Sequence, residues 1–166
     1  LSANAQTKIN PLEIFSEDIA DMADDIPVTM GLLLKDKIQR VKGFFQVLKP
    51  DLTQVEKAVI DTVLRRTYEA AGLFAATNIQ TLTATDYPVL ADVYVQLERL
   101  KQEDADRFGI VRDFYYILES YVHGSTTLFN GHTNIDITAD LVSFDLKALQ
   151  SEADVQAAAY LNTFSF

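Results

Sequence analysis

The sequence predicts a mainly α-helical protein, a compact bundle of five to six helices with one or two short strands. First, apolar residues recur at spacings of three and four along most of the chain, which is the period of an amphipathic helix. Second, capping residues and prolines bound these stretches. Third, the chain has 166 residues, of which 48% are hydrophobic and 23% charged, a composition typical of one globular core. We therefore expect a single helical domain over residues 1–166.

An irregular lead-in and two helices are predicted in the first third of the chain. Residues 1–15 are expected to be irregular or extended, because Asn10 precedes a proline and is disfavoured in a helix. Ser16 precedes two acidic residues and predicts the N-cap of a short helix. The next helix is predicted from Val28 to Leu48. Its apolar positions are Met30, Leu34, Ile38, Val41, Phe45 and Leu48.

A capping box predicts the start of the following helix. Pro50 ends the preceding helix, and Thr53 and Glu56 stand at the spacing at which each side chain caps the other residue's amide. Gly72 is expected near the end of this helix. Its predicted buried rows are Val55, Val59 and Val63, with Ile60, Leu64 and Tyr68 beside them.

The middle of the chain predicts a loop and then another helix. Residues 75–86 are rich in Thr and Asn, and a short extended piece is expected at residues 79–82. Asp86 is predicted to cap the next helix, with Pro88 in its first turn. The apolar stripe of that helix is Leu90, Val93, Tyr94, Leu97 and Leu100.

A charged connection over residues 101–106 is predicted to lead into a helix over residues 105–123. Core spacing predicts that its aromatic residues are buried, whereas Tyr116 falls off the stripe and is expected to be exposed. The apolar stripe is Phe108, Val111, Phe114, Tyr115, Leu118, Tyr121 and Val122.

The C-terminal part predicts a strand and a truncated helix. Residues 141–146 are apolar and β-favouring, and they could pair with residues 9–12, with residues 79–82 or with a strand outside the chain. Residues 152–166 form an apolar helical pattern without a C-cap glycine, a terminal cation or a proline stop. We therefore expect the chain to be a fragment of a larger protein.

Composition excludes several classes of function. The net charge of −10 opposes direct binding of nucleic acid or anionic lipid by the surface as a whole. The chain has no Cys and only two His, which excludes disulfides and thiolate sites and argues against zinc. No apolar run is long enough to span a bilayer, so no transmembrane segment is expected.

Motifs for chemistry are nearly absent from the sequence. No glycine begins a phosphate-binding loop or a Gly-x-Gly dinucleotide turn. Residues 104–109 faintly resemble a calcium loop, but Phe108 and Tyr115 stand where oxygen ligands belong. His123 and His132 flank Ser125, but no acid is positioned to orient either of them. We assign no catalytic, cofactor-binding or metal-binding residues.

A set of ordered phrases resembles the ATPases of type IV secretion and conjugative transfer (the VirB/TraC class). Each phrase alone is short, but their order and spacing resemble that family over nearly the whole chain. The phrases are KINPLEI (8–14), LKPDLT (48–53), YPVL (87–90), YVHGS (121–125), LFNGHTNID (128–136) and LVSFDLKAL (141–149).

The resemblance implies a place inside a larger motor protein. In that family, a mostly helical subdomain is inserted in a RecA-like motor domain, between the P-loop and the second acidic motif. This chain resembles that insertion, which carries none of the catalytic motifs, so ATP and Mg are expected only in the parent protein. The implied role is to couple motor changes to contacts with the rest of the ATPase, with other subunits of a homo-oligomer and with secretion or conjugation proteins. The implied location is cytoplasmic, with the parent at the cytoplasmic face of the inner membrane.

Two other functions remain open from the residues alone. The first is a stand-alone acidic helical adaptor, which the net charge and the amphipathic helices favour. The second is a small hydrolase that uses His123 or His132. A histidine at a helix end, interacting with the helix dipole, explains His123 more simply.

Overall fold

A computed structural model describes residues 8–15, 19, 27–125 and 127–134. Within these ranges the protein is mainly α-helical and forms no strand, which confirms the predicted class, but its four α-helices are fewer than the predicted five to six. The predicted strand at 141–146 and the helix at 152–166 lie outside the described residues. So does the predicted short helix after Ser16, apart from Ile19. The α-helices are α1 (Met30–Leu48), α2 (Gln54–Ala70), α3 (Leu90–Glu103) and α4 (Ala105–Val122).

Helix α1 begins two residues later than predicted. Thr29 is its N-cap, and the Thr29 hydroxyl accepts a hydrogen bond from the Leu32 amide at 3.3 Å. The predicted apolar face is buried except at Leu34, which is half-buried. The helix also buries Lys37, whose ammonium lies 5.4 Å from the centre of the Phe15 ring.

The predicted capping box opens α2. The Glu56 amide donates to the Thr53 hydroxyl at 3.2 Å, and the Thr53 amide donates to the Glu56 carboxylate at 3.2 Å. The predicted buried row is wrong at Val55, which is 60% exposed. The inward position in this first turn is taken by Glu56, which pairs with the buried ammonium of Lys49 at 3.2 Å.

The loop between α2 and α3 differs from its prediction in two places. The expected extended piece is a 3-10 helix, Ile79–Thr81, in which the Gln80 amide donates to the Asn78 side chain. Asp86 does not cap α3. Its carboxylate accepts from the Thr83 amide at 2.7 Å and closes a second 3-10 helix, Ala84–Asp86. Helix α3 therefore starts beyond Pro88, which precedes the helix rather than lying in its first turn.

Helices α3 and α4 are joined by Asp104 alone, so the predicted charged connection is wrong over residues 101–103, which belong to α3. The Asp104 carboxylate accepts from the Arg107 amide at 3.0 Å and caps α4. One core unites the four helices with the segment around Leu12 and with Phe129. No helix of the described residues is long and apolar enough to cross a membrane.

Candidate functional site

Two segments that are far apart in sequence meet along one side of the bundle. We call residues 8–15 and 127–134 the terminal junction. The Ile9 amide donates to the Leu128 carbonyl at 3.0 Å, and the Asn134 amide donates to the Lys8 carbonyl at 3.2 Å. The Lys8 amide donates to the Asn134 side-chain oxygen at 2.8 Å. The junction therefore closes a loop that contains the whole helical bundle.

The side chain of Lys8 fixes the second segment of the junction. Its ammonium donates to the Thr127 carbonyl at 2.8 Å and to the Thr127 hydroxyl at 3.1 Å. Gly131 has a φ of +153° and lies directly under this side chain, so a Cβ there would be 3.0 Å from Lys8 Cγ. Glycine permits both the backbone conformation and the close approach.

Replacing Gly131 with alanine is expected to loosen this part of the junction. The change strains the backbone and displaces the Lys8 side chain, and we expect a loss of about 1–3 kcal/mol in the free energy of unfolding. Urea unfolding followed by circular dichroism measures it. Gly43 on α1 provides the control, because a Cβ there meets nothing within 4 Å. Equal destabilisation by the two substitutions would contradict the described packing at Gly131.

Asn10 connects the junction to the rest of the bundle. It is fully buried, and its side-chain amide donates to the Pro88 carbonyl at 2.8 Å. Its side-chain oxygen accepts from the Leu12 amide at 3.1 Å, and its backbone amide donates to the Thr133 hydroxyl at 2.9 Å. One side chain thus ties the first segment to the residues that precede α3.

Asn130 joins two helix ends across the junction. Its side-chain oxygen accepts from the Ala91 amide, in the first turn of α3, at 2.9 Å. Its side-chain amide donates to the Val122 carbonyl, at the end of α4, at 3.3 Å. Helix ends leave backbone groups without partners, and a buried or half-buried end needs such a side chain. The hydroxyl of Tyr68 on α2 adds a third connection, to the Leu12 carbonyl at 2.6 Å.

Three of the phrases that carry the sequence resemblance therefore meet in space. Asn10 belongs to KINPLEI, Pro88 to YPVL, and Asn130 to LFNGHTNID. Sequence reasoning quoted these phrases but assigned no site to them. The available signal was a short polar side chain beside a proline or glycine turn, which commonly bonds backbone groups. That signal does not identify which backbone group the side chain will bond.

The residues considered for catalysis are held apart by different neighbours. The ring of His123 lies edge-on to Tyr94 at 5.1 Å, and His132 Nδ1 lies 3.1 Å from the Ala84 carbonyl. Within the described residues, neither imidazole bonds the other or Ser125. Tyr116 is 55% exposed, as predicted. The predicted core aromatics are buried, and Phe108 lies inside the faint calcium-loop pattern.

A cluster of charged side chains links α1 to α2. Asp61 on α2 accepts from Lys42 Nζ of α1 at 3.1 Å and from Arg65 Nε at 2.8 Å. Partial burial would raise the pKa of Asp61, but these two bonds outweigh it and hold the pKa below its usual value. At the turn between the same helices, burial opposes the charge on Lys49, but hydrogen bonds to Asp51 and Glu56 raise its pKa.

The Asp61 cluster predicts an acid-sensitive contribution to stability. A lowered folded-state pKa stabilises the fold above the unfolded value of about 4, and this stabilisation is lost as pH falls through the folded value. We expect Asp61→Asn to cost about 1 kcal/mol at pH 7 and less at pH 3. Urea unfolding at both pH values tests this. Asp113→Asn, at an exposed site, should cost less than about 0.5 kcal/mol at pH 7, and an unchanged Asp61→Asn deficit at pH 3 would contradict the assignment.

Neither a cluster of potential metal ligands nor a P-loop motif occurs among the described residues. Among them, no group of three or more His, Asp or Glu side chains could hold a metal. Gly72 and Gly131 are the described glycines with positive φ values. Gly72 follows the end of a helix, and Gly131 lies under the Lys8 side chain, so neither lines a phosphate-binding loop.

Comparisons with known proteins give a fold similarity but no matching family. No family model matches the chain, and no curated protein matches it. The structure is similar to that of VirB4 from Thermoanaerobacter pseudethanolicus, with a TM-score of 0.73 and 25% sequence identity. The match covers 96% of this chain and 39% of the VirB4 chain, so this chain spans about two-fifths of that protein's length. The similarity agrees with the resemblance to type IV secretion ATPases that the sequence phrases indicate.

Proposed function

We propose that this chain is the helical subdomain of a type IV secretion or conjugative transfer ATPase. In this role it couples ATP-driven changes in a motor domain to contacts with neighbouring subunits or secretion partners. The observation that carries the proposal is the match to VirB4, which covers nearly all of this chain and only 39% of the VirB4 chain. ATP and Mg then belong to the parent protein, which acts at the cytoplasmic face of the inner membrane.

The terminal junction supports this role mechanically. An inserted subdomain leaves and rejoins its host at two neighbouring points, and residues 8 and 134 lie within hydrogen-bond distance of each other. From that point, hydrogen bonds of Asn130 and Tyr68 connect the junction to α2, α3 and α4, and Asn10 donates to Pro88 just before α3. A displacement at the junction would therefore move the helices as one packed body rather than fold or unfold them.

The DNA on both sides of this segment provides the first test. We expect one reading frame with a Gly-x-x-x-x-Gly-Lys-Ser/Thr loop upstream and an apolar strand that ends in acidic residues downstream. A frame without the upstream loop would contradict the proposal and favour the acidic adaptor.

In the parent protein, Asn10→Asp is expected to reduce transfer while ATP binding by the motor domain persists.

The isolated chain is expected not to bind ATP, because the sequence carries neither of the loops that cradle phosphates. Isothermal titration calorimetry with ATP and Mg measures this directly. Micromolar binding would contradict the assignment of nucleotide chemistry to the rest of the parent protein. Circular dichroism on the same sample controls for loss of the helical fold.

A further inference from the structure

A long surface groove runs between α1 and α2. Its wider part has a volume of about 810 Å³ and is lined by polar and charged side chains, among them Lys42, Lys57 and Asp61. The adjoining part has a volume of about 460 Å³. Both parts share Gln39, Asp61 and Arg65, so they form one continuous surface. We call this surface the α1–α2 groove. Along α1 it extends for about 25 Å, the length of a peptide segment rather than of a small ligand.

The two parts of the groove differ in chemistry. The narrower part has an apolar floor that includes Leu34, Ile38 and Leu73, and Phe74 stands at its edge with 54% of its surface exposed. Most of the residues that line the wider part are polar or charged. An exposed aromatic side chain beside an apolar cleft is typical of an anchor for a partner, because its ring has surface left to bury.

The groove carries an excess of positive charge on an acidic protein. Its lining includes four cations and two carboxylates. The Asp61 carboxylate already forms ion pairs with both Lys42 and Arg65. Among the described residues, Lys35 and Lys57 have no carboxylate within 4.0 Å. The chain as a whole has a net charge of −10, so this surface opposes the general sign of the molecule.

We propose that the α1–α2 groove binds an acidic segment of a partner protein, with apolar side chains at the Phe74 end and carboxylates facing Lys35 and Lys57. This inference deepens the proposed function, on which it rests, by naming a contact surface and the chemistry of its partner. Charge complementarity favours carboxylates over neutral segments. A nucleic-acid strand fits less well, because the carboxylates of Asp61 and Glu69 lie in the groove and would repel its phosphates.

A displayed library of random 16-residue peptides, selected against the chain, tests the proposal. We expect enriched peptides to combine Asp or Glu with a cluster of apolar residues. Fluorescence anisotropy then compares their binding to two double variants. Lys35→Glu with Lys57→Glu should weaken binding at least tenfold. Arg99→Glu with Arg107→Glu makes the same charge change at exposed sites on α3 and α4, and should alter binding less than twofold.

The apolar end has its own matched pair of variants. Phe74→Ala should weaken binding several-fold, whereas Tyr116→Ala, at a side chain with nearly the same exposure on α4, should not. Circular dichroism confirms that all four variants keep the helical fold. Rising salt should weaken binding to the wild type more than to the Lys35→Glu, Lys57→Glu variant.

Three results would overturn the proposal. The first is the absence of enriched peptides, or enriched peptides that bind all variants equally. The second is self-association of the wild type that the groove variant removes, which would assign the groove to a second copy. The third is peptide binding that appears only after Glu17, Asp18 and Asp21 are neutralised, which would assign it to the chain's own acidic residues. A different result would contradict the proposed function, namely an upstream reading frame that lacks a phosphate-binding loop.

Discussion

Asn10→Asp is expected to lower the free energy of unfolding by about 3 kcal/mol at pH 7. The side-chain amide of Asn10 is fully buried and donates to the Pro88 carbonyl at 2.8 Å. The substitution keeps the shape of the side chain but replaces this donor with a carboxylate oxygen, which faces the carbonyl oxygen without a proton. The acceptor for the Leu12 amide is retained, so the effect isolates one contact of the terminal junction.

The pH dependence of this variant provides a further check. Burial beside a carbonyl raises the pKa of the introduced carboxyl, so the folded state takes up a proton as pH falls. A protonated carboxyl can donate to Pro88 again. The deficit relative to the wild type should therefore shrink between pH 7 and pH 4, as measured by urea unfolding.

Asn78 provides the matched control for this experiment. Its side chain is exposed, and its oxygen accepts from the Gln80 amide at 3.0 Å, a role that a carboxylate retains. Asn78→Asp should change stability by less than about 0.5 kcal/mol. If the two substitutions had equal effects, Asn10 would not hold the junction to the residues before α3.

Phe129→Ala is expected to be more destabilising still, by about 4 kcal/mol. The ring is fully buried and meets Phe44 of α1 edge-on at 5.2 Å. Removing it leaves a cavity at the point where the second segment of the junction packs against the bundle. Because the Ile9 amide donates to the neighbouring Leu128 carbonyl, hydrogen exchange at Ile9 should also accelerate.

The same truncation at Phe74 serves as the reference. Phe74 is 54% exposed, so Phe74→Ala should change the free energy of unfolding by less than about 0.5 kcal/mol. Denaturant unfolding of both variants, followed by circular dichroism, gives the comparison. A small effect at Phe129 would mean that the second segment is not part of the core.

Local pattern determined most of the helical structure. The capping box at Thr53 fixed the start of α2, and Gly72, with a φ of +80°, follows its end as predicted. The apolar stripe of α3 is buried throughout. These features depend on interactions within a few residues, such as a cap with its own first turn, and a sequence displays such interactions directly.

Local pattern failed where two residues compete for one role. The sequence predicts that Asp86 caps α3, although Asp92 also lies at the start of the apolar stripe. Asp86 instead closes a 3-10 helix with Thr83, and Asp92 accepts from the Val89 amide at 2.8 Å at the start of α3. Likewise, Glu56 rather than Val55 faces the interior, because the ammonium of Lys49 neutralises the buried Glu56 carboxylate.

The terminal junction was decided by tertiary structure alone. Lys8 and Asn134 are separated by 126 positions and yet share hydrogen bonds. Hydrophobic periodicity shows which side of a helix faces inward, but it does not show which distant segment that side will meet. The same holds for the α1–α2 groove, whose cations come from two helices. The sequence by itself determined approximately where the four described helices form, and that the chain carries no phosphate-loop motif. The partners of Asn10, Asn130 and Asp61 follow from packing, because a buried polar group accepts whatever complementary group the folded chain brings within reach.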